Sequence, residues 1–331
     1  RELAKTGCWF WNQFKIFNMR SLVVIFLLLF SFISNSQVKI ILDADTGNEM
    51  DDLYAIVRCF DDDVELTGLI SAHFNNVQLL TDSVWNGYST KNINSLQLSQ
   101  MENELLLEQC KMTHIPHPAG CEKMVGFAWG FYPGAQVPTS AGVDFIIEHA
   151  KKASPENKVN IVTLGAVTNV AAAILHEPSI AKNIRLYALN MKYNVENKAW
   201  NKNSFNARND VNGLDVILNN IELELWVIPG NVSSNLKFQR KDTQEKLANF
   251  NNAISKNLSD RWDAVNAKTQ WIMWDVALIE AIIHPEYASV EKTLTPPENI
   301  QREIMMYTSI DAKKMRDDFW QSYDKLMKKL K

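Results

Sequence analysis

Ten consecutive residues, Asp43-Ala44-Asp45-Thr46-Gly47-Asn48-Glu49-Met50-Asp51-Asp52, hold four aspartates and one glutamate. The apolar run Val38 to Leu42 precedes them, and Leu53, Ile56, Val57 and Phe60 follow at helical spacing. If the strand persists, Asp43 and Asp45 share a face, while Asp51 and Asp52 stand in the first turn of the helix. The helix dipole and capping favour an acid or two at such a place. They do not account for every acid converging on one strand end, where mutual repulsion has to be relieved. A divalent cation relieves it. Ligation by oxygen alone, with no His or Cys nearby, points to calcium or magnesium rather than zinc.

Two further segments have the same strand-end character. Thr163-Leu164-Gly165-Ala166-Val167-Thr168-Asn169 closes the apolar run Val159 to Leu164; alone, it reads as a glycine turn with Thr168 capping a helix. Trp271-Ile272-Met273-Trp274-Asp275 opens a helix through Ala277, Leu278 and Ala281, and its indoles read most simply as core packing at helical spacing.

The elements that must position these groups alternate. Leu66 to Ser71, Val159 to Leu164, Ile184 to Leu189 and Leu223 to Ile228 read as buried strands, with a helix over Val170 to Leu175. The alternation predicts an α/β fold: a mostly parallel central sheet flanked by helices, a Rossmann-like open sheet with right-handed crossovers. Ligands in such sheets bind beyond the carboxyl ends of the strands, where all three segments lie. Past Pro296-Pro297, a strand-like Glu303 to Tyr307 leads to an amphipathic helix from about Ala312, expected to pack on the outside.

Composition narrows the function classes. Of 331 residues 46% are hydrophobic and 22% charged, so disorder is excluded as the main state. Lys plus Arg number 34 against 38 acids, which leaves no basic excess for nucleic acid or an anionic membrane. Met19-Arg20-Ser21, the apolar run Leu22 to Ile33 and Ser34-Asn35-Ser36 predict a signal peptide over 19–36, with no stable membrane span after cleavage. Residues 1–18 precede Met19 and read as upstream translation. The expected mature chain, 37–331, is one catalytic domain, periplasmic or secreted. Cys59, Cys110 and Cys121 match no CxxC spacing, and the six His offer no HxxxH or HExxH.

With these motifs the sequence resembles the inosine–uridine-preferring nucleoside hydrolase family, which opens on a DxD followed by DD, here Asp43, Asp45, Asp51 and Asp52, with a longer turn like that of a bacterial subgroup. The resemblance implies calcium as cofactor, a ribonucleoside as substrate and a homo-oligomer, dimer or tetramer. It implies Asp45 as catalytic base and calcium ligand, and Asp52, Asp275 and the Leu164 carbonyl as further ligands. It also implies Asp51, Asn75 and Asn206 as ribose-binding residues, with Asn197 or Asn201 at the 5′ end, and Trp274 against the base, suggesting a purine leaning. The chain departs from the family in two places. Trp274 stands where an imidazole commonly precedes the last Asp, and Ser204 stands where Ser204-Phe205-Asn206 aligns with EFN. His73 is then a candidate leaving-group acid. Two alternatives keep the DxD or the fold: a haloacid-dehalogenase-like magnesium phosphatase, which wants Thr or Val where Gly47 stands, and a catalytically impaired nucleoside-binding protein.

Overall fold

Runs of Val, Ile and Leu form strands covered on both faces, which is why they read as continuous apolar segments rather than as alternations. A computed structural model describes residues 37–74 and 93–331; the expected signal peptide and Asn75 lie outside the described residues. The elements begin with β1 (Val38–Ala44), α1 (Asp51–Arg58), β2 (Val64–Ser71), α2 (Ser95–Gln109) and α3 (Ala141–Lys152). They continue with β3 (Val159–Thr163), α4 (Thr168–His176), β4 (Ile184–Leu189), the short strands β5 (Lys192–Asn194) and β6 (Ala199–Asn201), α5 (Phe205–Asn209), α6 (Val211–Asn219) and β7 (Glu224–Ile228). Last come α7 (Gly230–Ser233), β8 (Lys237–Gln239), α8 (Arg240–Ala248), α9 (Ala253–Ala264), β9 (Gln270–Ile272), α10 (Trp274–Ile283), β10 (Ala288–Leu294), β11 (Glu303–Ile310) and α11 (Ala312–Leu330).

Seven strands form the main sheet in the order β10-β11-β7-β4-β3-β1-β2. All neighbours are parallel except β10 and β11, so the expected mostly parallel sheet is present. From β1 the chain builds first to β2 on one side, then to β3, β4 and β7 on the other. The direction of winding therefore reverses beside β1, where such sheets open a crevice for ligands.

Two cores cover the sheet. Ile40, Leu42 and Ala44 of β1 face one, which also takes the apolar sides of α1, α9, α10 and α11. Ile41 faces the other, filled by α3, α4 and α6. The last helix begins at Ala312 as expected, but Met315, Phe319, Tyr323, Leu326 and Met327 are buried in the first core. It closes that core instead of only lying outside. The segment Trp271 to Asp275 also differs from expectation. Trp271 belongs to β9, paired with Phe238 of β8, and the helix starts only at Trp274. Cys59, Cys110 and Cys121 are buried free thiols, each raised to about 12 chiefly by burial. Among the described residues no helix is long and apolar enough to cross a membrane.

Helices α1 and α10 pack side by side, and a charge inside the protein ties them. Arg58, fully buried, donates from Nε to Glu280 Oε1 at 2.7 Å, from Nη1 and Nη2 to the two oxygens of Asp63 at 2.9 and 2.8 Å, and from Nη2 to Asp318 Oδ2 at 2.9 Å. The guanidinium joins α1, α10 and α11 at one point, and its removal strands Glu280, whose side chain is also fully buried. Replacing one partner of such a pair costs about 3–5 kcal/mol. Arg58→Met is expected to lose about that much stability in urea denaturation; a loss under about 1 kcal/mol would mean the network contributes little.

Candidate functional site

The carboxyl end of β1, the turn beyond β3 and the N-termini of α1 and α10 surround a cavity of about 190 Å³. Seven of the eight residues expected at the site line it: Asp45, Asp51, Asp52, Leu164, Asn206, Trp274 and Asp275. They come from five places in the sequence. The eighth, Asn75, lies outside the described residues.

Local structure explains the convergence. Leu164 N–H donates to Asp43 O at 2.9 Å, continuing the β1–β3 ladder so that Asp45 and Leu164 emerge together. Gly165 then has to be glycine, since a Cβ there would stand 2.7 Å from Asp45 Cγ. Asp51 and Asp52 occupy the first turn of α1, and Asp275 that of α10. Met273, at the N-cap of α10, offers no capping side chain; Asp51 Oδ2 instead accepts the Asp275 N–H at 3.2 Å. One helix thus caps the other through an acid of the site, and both positive helix ends face the same carboxylates.

Carboxylate oxygens of Asp51, Asp52 and Asp275 lie within 4.8 Å of one another, buried. Asp45 lies beside Asp51 and Asp52 and lines the same cavity. One oxygen each of Asp45, Asp51 and Asp52 is buried without a partner among the described residues. Burial is the main cause that pushes Asp51 up to about 6, Asp45 to about 7 and the neighbouring Glu49 to about 8, with repulsion from Asp51 adding to the rise at Asp45 and Glu49. Asp52 and Asp275 are raised too, by burial and then by their acidic neighbours. The Trp271 indole N–H lies beside Asp51 and favours its ionised form without closing a hydrogen bond of normal geometry. Orphaned acceptor oxygens packed this closely, with no nitrogen or sulfur donor among them, fit a hard divalent cation.

The polar residues divide more sharply. Asn206 spends both amide hydrogens on the carbonyls of Leu164 and Leu189, so only its Oδ1 remains to meet a ligand. The Leu164 carbonyl keeps a second lone pair for a cation. Ser204 lines the cavity, but its hydroxyl accepts the Met191 N–H at 3.1 Å. Asn197 and Asn201 do not line the cavity; both serve turns of the β5–β6 hairpin, through Asn197 N–H to Asn194 Oδ1 and Asn203 N–H to Asn201 Oδ1. Thr168 does not cap α4. Its hydroxyl donates to Asp210 at 2.7 Å and meets His73 Nε2 at 2.9 Å. His73 is buried in that chain, away from the cavity lining, and burial holds it down to about 4. The structure thus does not bring His73 into the cavity with the other expected site residues.

Sequence reasoning missed Asn48, Glu49, Asn190, Met191, Lys192 and Gly230, which also line the cavity. Asn48 and Glu49 sit inside the acidic motif itself. Asn190 to Lys192 and Gly230 follow β4 and β7, so the strand-end rule that selects Asp45 and Leu164 would have found them. Met191 adopts a φ of 56°, a left-handed conformation that sequence pattern does not reveal in a non-glycine residue.

Comparison with known proteins agrees with this geometry. The family model described as inosine-uridine preferring nucleoside hydrolase matches residues 40–317. A plant nucleoside hydrolase is similar in structure, with a TM-score of 0.63, 16% identity, and 86% of this chain and 98% of that chain covered. A purine-preferring ribonucleoside hydrolase from Gardnerella vaginalis gives 0.61, 16%, 88% and 99%. An inosine-uridine preferring nucleoside hydrolase from Bacillus anthracis gives 0.56, 15%, 88% and 100%. At such identities these neighbours establish the fold alone. No curated protein matches the chain by sequence. The family match sets aside the phosphatase alternative.

Acids whose folded pKa is raised bind protons more tightly than the unfolded chain does, so their contribution favours folding at low pH and is lost as pH rises from about 4 through 6 to 8. In chelator, the melting temperature is therefore expected to fall between pH 5 and pH 8, and millimolar divalent cation to restore it at pH 8 far more than at pH 5. Melting curves that are flat with pH and indifferent to cation would contradict a crowded carboxylate centre.

Proposed function

The chain belongs to the inosine-uridine preferring nucleoside hydrolase family, a family of N-glycosyl hydrolases, and from that membership we propose a calcium-dependent ribonucleoside hydrolase that leans toward purines. The observation that carries the reading is the buried group of Asp51, Asp52 and Asp275 at the reversal point of the sheet, with Asp45 beside it. Asp45, Asp52, Asp275 and the Leu164 carbonyl would hold the ion. Bound there, calcium supplies a hard positive charge that orients oxygen ligands and makes water more acidic.

The residues then divide the work. Asp45 accepts the proton of the attacking water as the bond from C1′ to the base nitrogen breaks. The ring passes through an oxocarbenium-like transition state, and the surrounding carboxylates stabilise its developing positive charge. Asp51, Asn206 through its Oδ1, and Asn75 hold ribose hydroxyls. Trp274, lining the cavity, offers an indole face against a purine. A signal peptide over 19–36 and a periplasmic or secreted mature enzyme belong to the same proposal.

The test is free ribose released from inosine, adenosine, guanosine, uridine and cytidine, with and without a calcium chelator. Purines are expected to lead, and the chelator to abolish release in a way that added calcium reverses. Asp45→Asn is expected to lower kcat by about 10²–10⁴-fold, and Trp274→Ala to lower kcat/KM for purines by about three- to tenfold, with less effect on pyrimidines. Nucleoside binding without ribose release would instead indicate a binding protein of this fold.

A further inference from the structure

Among the acids lining the cavity, Glu49 has no part in the mechanism above. We propose that it is a specificity-determining residue whose carboxylate accepts a hydrogen bond from a sugar hydroxyl of the substrate. The proposal rests on the ribonucleoside reading.

Its first support is availability. Glu49 is half-buried in the cavity wall, and no described residue donates to its carboxylate. A carboxylate withdrawn from water needs donors, and a ligand in this cavity can bring them. Glu49 is also not one of the three acids whose oxygens lie within 4.8 Å of one another, and it is not among the residues assigned to the ion. Ser204, which lines the same cavity, offers only a short hydroxyl, already engaged by the Met191 backbone.

The second support is that its place is built. Arg261 Nη2 donates to the carbonyls of both Thr46 and Glu49 at 3.4 Å, while Nη1 pairs with Glu102 at 3.2 Å. The Thr46 hydroxyl donates to Asn103 Oδ1, and Gly47 N–H to Ser99 Oγ at 3.4 Å. A Cβ on Gly47 would stand 2.6 Å from Leu98 Cγ, so the turn lies flat against α2. Helices α2 and α9 thus grip the backbone on either side of Glu49 and leave its side chain to the cavity. A preorganised acceptor of this kind loses little freedom when it binds.

The experiment uses the calcium-loaded full chain and its Glu49→Ala and Glu49→Gln variants. Inosine and its 2′-, 3′- and 5′-deoxy analogues are assayed for kcat/KM, and D-ribose and calcium binding are measured by calorimetry. The expected result is a loss of about 10- to 100-fold in kcat/KM for inosine in Glu49→Ala, a weaker affinity for ribose, and no comparable loss for the one analogue that lacks the contacted hydroxyl. Calcium affinity should stay within about twofold of the unaltered chain. Equal losses for inosine and all three analogues, unchanged kinetics and ribose affinity, or about a tenfold weaker calcium affinity would each overturn the proposal. If Glu49→Ala does not fold, Glu49→Gln, which keeps a neutral acceptor, is expected to show a smaller loss that again spares the analogue lacking the contacted hydroxyl. Failure of the hydrolase reading shows separately, as no ribose released by the unaltered chain, and ribose calorimetry then still decides the role of Glu49.

Discussion

Carboxylates do not share a buried space willingly, and the architecture of this protein is organised around making five of them do so. Each acid lining the cavity carries a desolvation cost, and repulsion among them adds to it. Two helix N-termini aimed at the group, and the Asp275 N–H given to Asp51, offset part of this strain. The orphaned oxygens are the part that a cation could meet. The ties that resist the repulsion lie elsewhere: Arg58 with Glu280 at the far ends of the helices that carry Asp52 and Asp275, and Arg261 over the turn between β1 and α1.

The sheet supplies the remaining constraint. Because winding reverses beside β1, the end of β1 and the end of β3 open onto the same crevice, and Asn169 bridges them by donating to Asp43 and to the Ser71 carbonyl at the end of β2. The chemistry sits on strand ends and first helical turns, which are rigid. Of the segments that differ most from simple α/β alternation, the antiparallel β10–β11 pair contributes nothing to the cavity lining, and the β5–β6 hairpin reaches it only through Lys192.

How legible the site was follows from the kind of signal each residue leaves. Doubly covered strands leave long apolar runs, so β1, β3 and β4 are evident, with Ile184 to Leu189 matching its strand end to end. The acids are equally visible because their density defies a surface explanation. By contrast, β10 carries Glu291 and Lys292 and is mostly exposed, so it left no apolar run. Trp271 and Trp274 have the spacing of one helix but straddle a boundary, since β8 claims Trp271 by pairing across more than thirty residues of sequence. The asparagines between 194 and 212 are ambiguous for the opposite reason: side chains that serve turns and side chains that serve ligands share one composition, and of that segment's asparagines only Asn206 lines the cavity. His73 is apt by its neighbourhood in sequence, but its ring meets the Thr168 hydroxyl, which in turn donates to the buried Asp210.

The three cysteines among the described residues have a consequence of another kind. With each sulfur enclosed and its proton held tightly, none is set up for oxidation or exchange in the native state, and none is needed as a crosslink. The described fold therefore draws no crosslink from these three positions, and their enclosed sulfurs are shielded from thiol exchange at the surface.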